Sequence, residues 1–171
     1  SAVDQKELRQ KIDPMFEDLR NILRGVYLIG DLSQKTSDKI VSYGERFSSL
    51  IVSKIIDGAR VYDSTQFIKT TKQFSHHIPD IAYSNELIKQ AFLSDPLPKV
   101  AIVPGFISSS KEADDITNLG RGGSDYTAAI IAAALNASVL EIWTDVDGFM
   151  TADPKIINSA YVIEELSFTE A

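Results

Sequence analysis

The chain has 171 residues, which is enough for one domain with a sheet and covering helices. It is 44% hydrophobic and 24% charged, as an ordinary globular protein is, and no apolar run approaches the ~20 residues needed to span a bilayer. The net charge of −7 argues against a surface that binds nucleic acid. The lack of cysteine excludes disulfides and thiolate chemistry, and together these properties suit a cytoplasmic protein.

Two long helices are predicted at the start of the chain. Apolar residues at helical spacing predict the first over 5–24, with an interruption at Asp13-Pro14, because the residue before a proline avoids the α region. The second is predicted over 36–57 and ends at Gly58. Inside it, Gly44 would allow a ligand or a neighbouring backbone to come close. Its N-cap is expected from one of three adjacent polar residues, Thr36, Ser37 or Asp38.

The rest of the chain predicts an α/β arrangement. A short strand is expected at 60–64, a polar loop from Thr65 to Pro79, and a helix at 84–94. The apolar run VAIV predicts a strand at 100–103 that is buried on both faces.

The last third of the chain has the clearest order of elements. Alanine-rich residues 124–137 predict a helix that is buried nearly all round, and 138–146 predict a strand in which Trp143 packs on the sheet. The order strand, loop, buried helix, strand is typical of a parallel α/β sheet with right-handed crossovers.

The densest chemical feature is the segment LGRGGSDYTAA, from Leu119 to Ala129. Glycines on both sides of Arg121 let the backbone approach a ligand, and Ser124-Asp125 opens a helix whose free N–H groups attract anions. The segment therefore predicts an anion site. An ordinary glycine loop, with Ser124 as a plain helix cap, is the alternative. The segment fits neither the Walker A motif nor the dinucleotide fingerprint.

A second feature is WTDVDGFMTADPK, from Trp143 to Lys155. A strand is expected to end at Thr144-Asp145, a turn to follow at Gly148, and another helix to begin at Asp153-Pro154. Carboxylates here would suit a hard cation, but two of them do not establish a dedicated metal site. A simple turn is the alternative for this segment.

These two segments, in this order and separation, resemble the amino-acid kinase superfamily and most of all its aspartate kinase family. Further matches are GFISSS, the final EELSFTEA, and SYGERFSSLIV at 42–52, so the resemblance covers roughly 25–171. It implies a three-layer α/β/α sandwich with a mainly parallel central sheet, like that of carbamate kinase. It also implies that residues 1–171 are a fragment of the catalytic domain, truncated at both ends and inactive by itself.

By this resemblance, five residues would form a pocket for L-aspartate. Glu45 would receive the α-ammonium group, and Arg121 would clamp the α-carboxylate through two hydrogen bonds. The pocket would be completed by three residues of the same loop, Gly122, Ser124 and Asp125. The alternatives are a solvated surface glutamate at position 45 and a buried structural ion pair for Arg121.

The resemblance also implies nucleotide contacts in the second segment. Thr144 and Asp145 match positions that contact the nucleotide, Met150 stands where a tyrosine is frequent, and Lys155 replaces a frequent arginine. ATP with Mg²⁺ would be a substrate complex, with no tightly bound cofactor and no metal held by the protein itself. The lysines that contact the transferring phosphate in the family have no counterpart in this chain, so no catalytic residue is assigned.

The implied activity is phosphorylation of the aspartate side-chain carboxylate, the first step of lysine, threonine and methionine biosynthesis, by a homo-oligomer with no nucleic-acid or membrane partner. Regulatory domains would follow the catalytic domain. The segment GVYLIGDLS is nearer to kinase domains fused to homoserine dehydrogenase, and NADP would be needed only if such a domain follows.

Three alternatives stay open. A sister kinase acting on glutamate, uridylate or carbamate has a related TDVDG segment, although Glu45 and the Arg121 loop favour aspartate. A non-catalytic binding or regulatory domain of the same fold is the second. A nicotinamide-dependent dehydrogenase is more distant, because its glycine fingerprint is missing.

Overall fold

The computed structural model describes residues 2–74, 76–93 and 96–170, which form two compact units, Ser1–Leu140 and Glu141–Ala171. Four helices, six strands and one 3₁₀ turn occur in the described part of the first unit. In chain order they are α1 (Ala2–Ile29), α2 (Gln34–Ile55), β1 (Ala59–Val61), the 3₁₀ turn (Ser64–Gln66), β2 (Lys69–Gln73), β3 (His76–Pro79), α3 (Ile81–Leu93), β4 (Val100–Ile102), β5 (Ile107–Ser110), β6 (Ile116–Asn118) and α4 (Gly123–Ala134).

The strands form two sheets in the described residues. Strands β1 and β4 pair in parallel, and a second sheet has the order β3-β2-β5-β6. In that sheet β2 is parallel to β5, while β3 and β6 run antiparallel to their neighbours. The predicted α/β fold is confirmed. No helix within the described ranges has both the length and the apolar character that crossing a bilayer requires.

Helix α1 continues through Asp13-Pro14, so the predicted interruption is wrong. Proline removes one helical hydrogen bond and crowds the preceding turn. However, α1 is joined to α2 on both sides of that point. Lys54 Nζ lies 2.9 Å from Glu7 Oε2, and Lys39 Nζ lies 3.1 Å from Asp18 Oδ2. These contacts, with the packing of the two helices, hold the segment helical across the proline.

Helix α2 begins earlier than predicted, because Ser33 is its N-cap. The Ser33 hydroxyl accepts a hydrogen bond from the Thr36 backbone N–H at 3.2 Å. None of the three residues expected as caps fills that role, since all lie inside the helix. The buried positions of α2 are mostly polar: Asp38, Ser42, Tyr43 and Ser49.

The polar loop predicted from Thr65 to Pro79 is wrong, because this segment contains β2 and β3. Thr70 on β2 is fully buried, and its hydroxyl lies 2.9 Å from that of Thr117 on β6. The Ser108 hydroxyl on β5 adds a second hydrogen bond to this pair, since it lies 2.8 Å from the Thr117 hydroxyl. Hydroxyls that satisfy one another can be buried between strands, so polarity alone did not indicate exposure.

The apolar core lies between the start of β2, α3 and α4. Its buried members are Phe67, Ile68, Ile88, Phe92, Ile130 and Ala134. Helix α4 buries a single stripe into this region, so the predicted burial on nearly all sides is wrong. Strand β4 is where the sequence predicts it, but Ala101 is exposed and the strand is not buried on both faces.

The predicted strand at 138–146 is absent from the structure, in which these residues pair with no described strand. Trp143 is 89% exposed rather than packed on a sheet. The expected helix at Asp153 is only a turn, in which the Asp153 carboxylate accepts from the Lys155 N–H at 2.8 Å. Apolar and β-branched residues favour a strand only when a partner strand is available.

The contact between α1 and α2 predicts a stability change at high pH. The Tyr43 hydroxyl, on a side chain only 2% exposed, donates to Asp18 Oδ2. Burial, and then the Asp18 carboxylate, raise the pKa of Tyr43 to about 12, and the same hydrogen bond lowers the pKa of Asp18. Above the ordinary tyrosine pKa of 10.0, the unfolded chain loses this proton before the folded one does. Stability is therefore lost as pH rises from about 10 to about 12.

We expect the melting temperature of the protein to fall more steeply over this pH range than that of the Tyr43→Phe variant. The difference between the two curves isolates Tyr43 from every group that the two proteins share. Parallel curves would show that the Tyr43 proton does not contribute to stability.

Candidate functional site

A cleft of about 270 Å³, hereafter the α4 cleft, lies at the N-terminal end of α4. Its volume is just below the ~300 Å³ at which pockets for drug-sized ligands begin, so it suits a small molecule. The residues that line it are Glu45, Phe106, Gly120, Gly122, Gly123, Ser124 and Asp125. The structure thus brings together four of the five residues predicted to bind the substrate. Their roles in binding stay predictions.

The fifth of these, Arg121, does not line the α4 cleft, although both of its neighbours do. It is exposed and lies between Gly120 (φ +74°) and Gly122 (φ +71°). The alternative of a buried structural ion pair is therefore wrong. Its side chain is exposed on a loop whose flanking glycines line the cleft, and its five donors suit a carboxylate.

Helix α4 begins with an N-cap that has no side chain. Gly122 takes the left-handed conformation that glycine tolerates, and no side chain caps the helix. Ser124 lies inside α4, so the alternative in which it is a plain cap is wrong. The Gly123 N–H donates to the Gly120 carbonyl at 3.0 Å. The next N–H groups of the helix, at Ser124 and Asp125, can therefore bind an external acceptor, and the helix dipole favours a negative one.

The α4 cleft also carries negative side chains. Glu45 is half-buried in the middle of α2, and Asp125 is exposed in the first turn of α4. A carboxylate favours a bound ammonium group, whereas the helix N-terminus favours a bound carboxylate. One small cleft therefore offers complements to both charges of an amino-acid zwitterion. Glu45 is not the solvated surface residue of the alternative interpretation.

The segment between β4 and β5 packs tightly against the start of α4. A Cβ placed on Gly105 would lie 2.8 Å from Ser124 Cα, closer than real Cβ contacts allow. Next to it, Phe106 has φ +68°, and the Ile107 N–H donates to the Gly105 carbonyl at 2.7 Å. This three-residue hydrogen bond around a positive φ forms a strained γ-turn. Strain of this kind concentrates at functional sites.

Thr127 joins this turn to α4. Its hydroxyl accepts from the Phe106 N–H at 3.2 Å and donates to the Gly123 carbonyl at 2.8 Å. Sequence reasoning assigned no role to Gly105, Phe106 or Thr127. A glycine and a proline at the end of an apolar strand were the available signal, but they indicated only a turn.

The second unit contains the residues predicted to contact the nucleotide. A cavity of about 550 Å³ is lined by Glu141, Ile142, Trp143, Thr144, Val146 and Asp147. Of the predicted nucleotide contacts, only Thr144 lines this cavity. Its hydroxyl donates to Asp145 Oδ1 at 3.2 Å.

Two more predicted nucleotide contacts, Met150 and Lys155, come after the residues of this cavity in the sequence. Met150 is half-buried and forms an isolated antiparallel bridge with Val162, and Lys155 is exposed. The roles of these residues stay predictions. In the parts of the chain that the structure describes, no three His, Asp or Glu residues are grouped so as to hold a metal ion.

Comparison with known proteins matches residues 3–171 to the amino acid kinase family. Lysine-sensitive aspartokinase 3 of Escherichia coli is 36% identical over 168 residues, which are 96% of this chain and 37% of that protein. The bifunctional aspartokinase/homoserine dehydrogenase of Buchnera aphidicola is 31% identical over 177 residues, which are 100% of this chain and 21% of that protein. The chain therefore spans well under half of either relative.

A solved structure of E. coli aspartokinase III, in complex with aspartate and ADP, superposes on this chain with a TM-score of 0.79. It is 36% identical, and the match covers 91% of this chain and 35% of that one. The likeness therefore extends from sequence to fold.

The contact at Gly105 predicts that Gly105→Ala destabilises the protein by about 1–3 kcal/mol, the usual cost of overpacking. The new methyl group would meet the Cα and Cβ atoms of Ser124, which side-chain rotation cannot move away. Gly44→Ala in α2 is the matched control, because a Cβ there meets nothing within 4 Å among the described residues, so no neighbouring backbone approaches Gly44 closely. In a helix, this control gains up to about 1 kcal/mol. Urea denaturation measures both variants. Equal stability of the two would contradict the proposed contact.

Proposed function

The chain belongs to the amino acid kinase family, and we propose that its protein transfers the γ-phosphoryl group of ATP to the side-chain carboxylate of L-aspartate, giving 4-phospho-L-aspartate. The proposal rests on the α4 cleft, which places two carboxylates beside an uncapped helix N-terminus in a small volume. Relatives named aspartokinase over nearly the whole chain favour aspartate over glutamate, uridylate or carbamate as the acceptor.

In this proposal the α4 cleft binds the backbone groups of aspartate. Glu45 pairs with the α-ammonium group, while Arg121 and the N–H groups at the start of α4 hold the α-carboxylate. Gly122 keeps the helix N-terminus open, and Ser124 and Asp125 complete the pocket. The side-chain carboxylate of the substrate is then left free to act as the phosphoryl acceptor.

The reaction needs no general base. A carboxylate with an ordinary pKa is ionised near neutral pH and can attack the γ-phosphorus in line. Transfer then depends on position and on neutralising the phosphate charge, to which the Mg²⁺ that enters with ATP contributes.

We assign the nucleotide contacts to the second unit. Thr144 and Asp145 are proposed to contact the nucleotide, Met150 to supply an apolar wall, and Lys155 to supply a positive charge near the phosphates. The E. coli neighbour that holds ADP supports a nucleotide substrate for this family member. An exposed lysine retains the freedom to reach a phosphate, although it lacks the two-pronged geometry of arginine.

At the level of the whole protein, we propose a cytoplasmic homo-oligomer that opens lysine, threonine and methionine biosynthesis. Residues 1–171 are assigned to its catalytic domain. The relatives include both single-function and bifunctional enzymes at similar identity, so the identities favour neither type. NADP would be a cofactor only in the bifunctional form.

An acceptor screen on the full-length protein tests the activity. With MgATP, we expect ADP release to depend on L-aspartate and to be absent with L-glutamate, UMP or carbamate. Release of ADP with one of the other acceptors, and not with aspartate, would assign the protein to a sister kinase. No release with any acceptor would favour a non-catalytic domain.

Substitution of Arg121 tests the binding mode. Arg121→Ala is expected to raise KM for aspartate about 10- to 100-fold, since hydrogen bonds to charged groups contribute about 1.5–3 kcal/mol. KM for ATP should change little. Arg20→Ala is the matched control, because Arg20 is an exposed arginine of α1 paired with Glu17. A KM for aspartate that is the same in both variants would remove Arg121 from the proposed pocket.

A further inference from the structure

Helix α2 carries a buried carboxylate that the proposed reaction does not use. Asp38 is only 4% exposed, and no ion pair involves it in the described residues. Its Oδ1 accepts two amide hydrogen bonds instead, from Gln34 Nε2 at 2.7 Å and from Asn118 Nδ2 at 2.5 Å. Burying an unpaired carboxylate is costly, so a position that keeps one is a candidate for a specific role.

Asn118 extends this contact to the α4 cleft. It is the last residue of β6, and its Oδ1 accepts a hydrogen bond from the Gly120 N–H at 3.0 Å. A continuous chain of hydrogen bonds therefore runs from Asp38 through the Asn118 amide to the backbone of Gly120. Gly120 lines the cleft and directly precedes Arg121.

The chemistry of the groups determines which of them donates and which accepts in this chain of hydrogen bonds. A carboxylate only accepts hydrogen bonds, and a backbone N–H only donates them. The Asn118 side chain must therefore present its NH₂ group to Asp38 and its oxygen to Gly120. An apolar side chain at position 118 would remove one of the two amide donors of Asp38 and leave the Gly120 N–H without its side-chain acceptor.

The loop around Arg121 requires such a restraint because it is rich in glycine. Gly120 and Gly122 flank Arg121, and glycine backbone samples many conformations unless contacts select one. Asp38 also lies seven residues, or about two helical turns, before Glu45 on α2. The hydrogen bonds therefore join the helix that carries Glu45 to the loop that carries Arg121.

We propose that Asp38 and Asn118 are positioning residues, which hold the Arg121 loop in its binding conformation relative to Glu45. The identity of the bound molecule as aspartate rests on the function proposed above, whereas the restraint on the loop does not. Neither residue touches the substrate. Their effect is to organise the α4 cleft before the ligand binds, which lowers the cost of ordering the loop during binding.

Swapping the residue types at positions 38 and 118 tests the pair in the full-length protein. Asn118→Asp alone places two carboxylates together and removes the donor. Combined with Asp38→Asn, it restores the hydrogen bonds: the amide introduced at position 38 donates to the carboxylate introduced at position 118, whose second oxygen accepts from Gly120. In the native protein Gln34 donates to the same Asp38 oxygen as Asn118 does, so in this variant the Gln34 amide turns over and its oxygen accepts from the new NH₂ group. The double variant has the same net charge as the native protein. Asn118→Ala removes both hydrogen bonds without adding charge and serves where Asn118→Asp fails to fold.

Two readouts are measured, deuterium exchange of the peptide that contains Gly120 and the kinetic constants. Asn118→Asp or Asn118→Ala should speed exchange of this peptide and raise KM for aspartate at least about tenfold, with a smaller change in kcat and an unchanged KM for ATP. The double variant should return both readouts to within about threefold of the native values. Asp57→Asn, at an exposed carboxylate, should change neither.

Unchanged exchange and an unchanged KM in the Asn118 variants would overturn the proposal. So would a double variant that recovers neither readout, because the effect would then not come from the pair. If the native protein does not phosphorylate aspartate, the proposed function fails, but the exchange of the Gly120 peptide still decides whether Asp38 and Asn118 restrain the loop.

Discussion

The α4 cleft depends on one close approach, that of the Gly105 backbone to the first turn of α4. A side chain at Gly105 would overlap Ser124, so the two segments can meet only because glycine stands there. The approach places the γ-turn at Phe106 against the helix end, where Thr127 bonds to it. With the helix start fixed in this way, the residues of its first turn line a cleft of defined volume.

The second requirement is that α2 and the glycine loop hold one relative position. Two polar contacts attach helix α2 to its neighbours, beside its aromatic packing on α1: Tyr43 bonds to Asp18 of α1, and Asp38 bonds to Asn118. Hydrogen bonds fix direction and distance more narrowly than apolar packing does. This polar attachment fixes the position of the helix that is proposed to present Glu45 to a ligand. The cost is that every buried polar group in the attachment must have a hydrogen-bond partner.

Sequence reasoning located the chemistry of the first unit better than its fold. The Arg121 segment was identified because glycines and a helix start are local features, and four predicted residues do line one cleft. The sheet of β2, β5 and β6 was missed because its buried positions, such as Thr70 and Thr117, are polar. Their burial depends on hydroxyl partners more than 40 residues away, which no local pattern contains.

The opposite error occurred at 138–146, where apolar and β-branched residues predicted a strand that the structure lacks. Both errors have one cause, since strand formation depends on a partner strand while a glycine turn depends on its own backbone. The dependence of a glycine turn on its own backbone also bears on function. A carboxylate nucleophile needs no base, so the proposed reaction demands position rather than a tuned acid or base. The residues proposed to control it are then the ones that set backbone position, Gly105 and Asn118 among them. Such residues carry no reactive group, and they are recognised only when the fold is known.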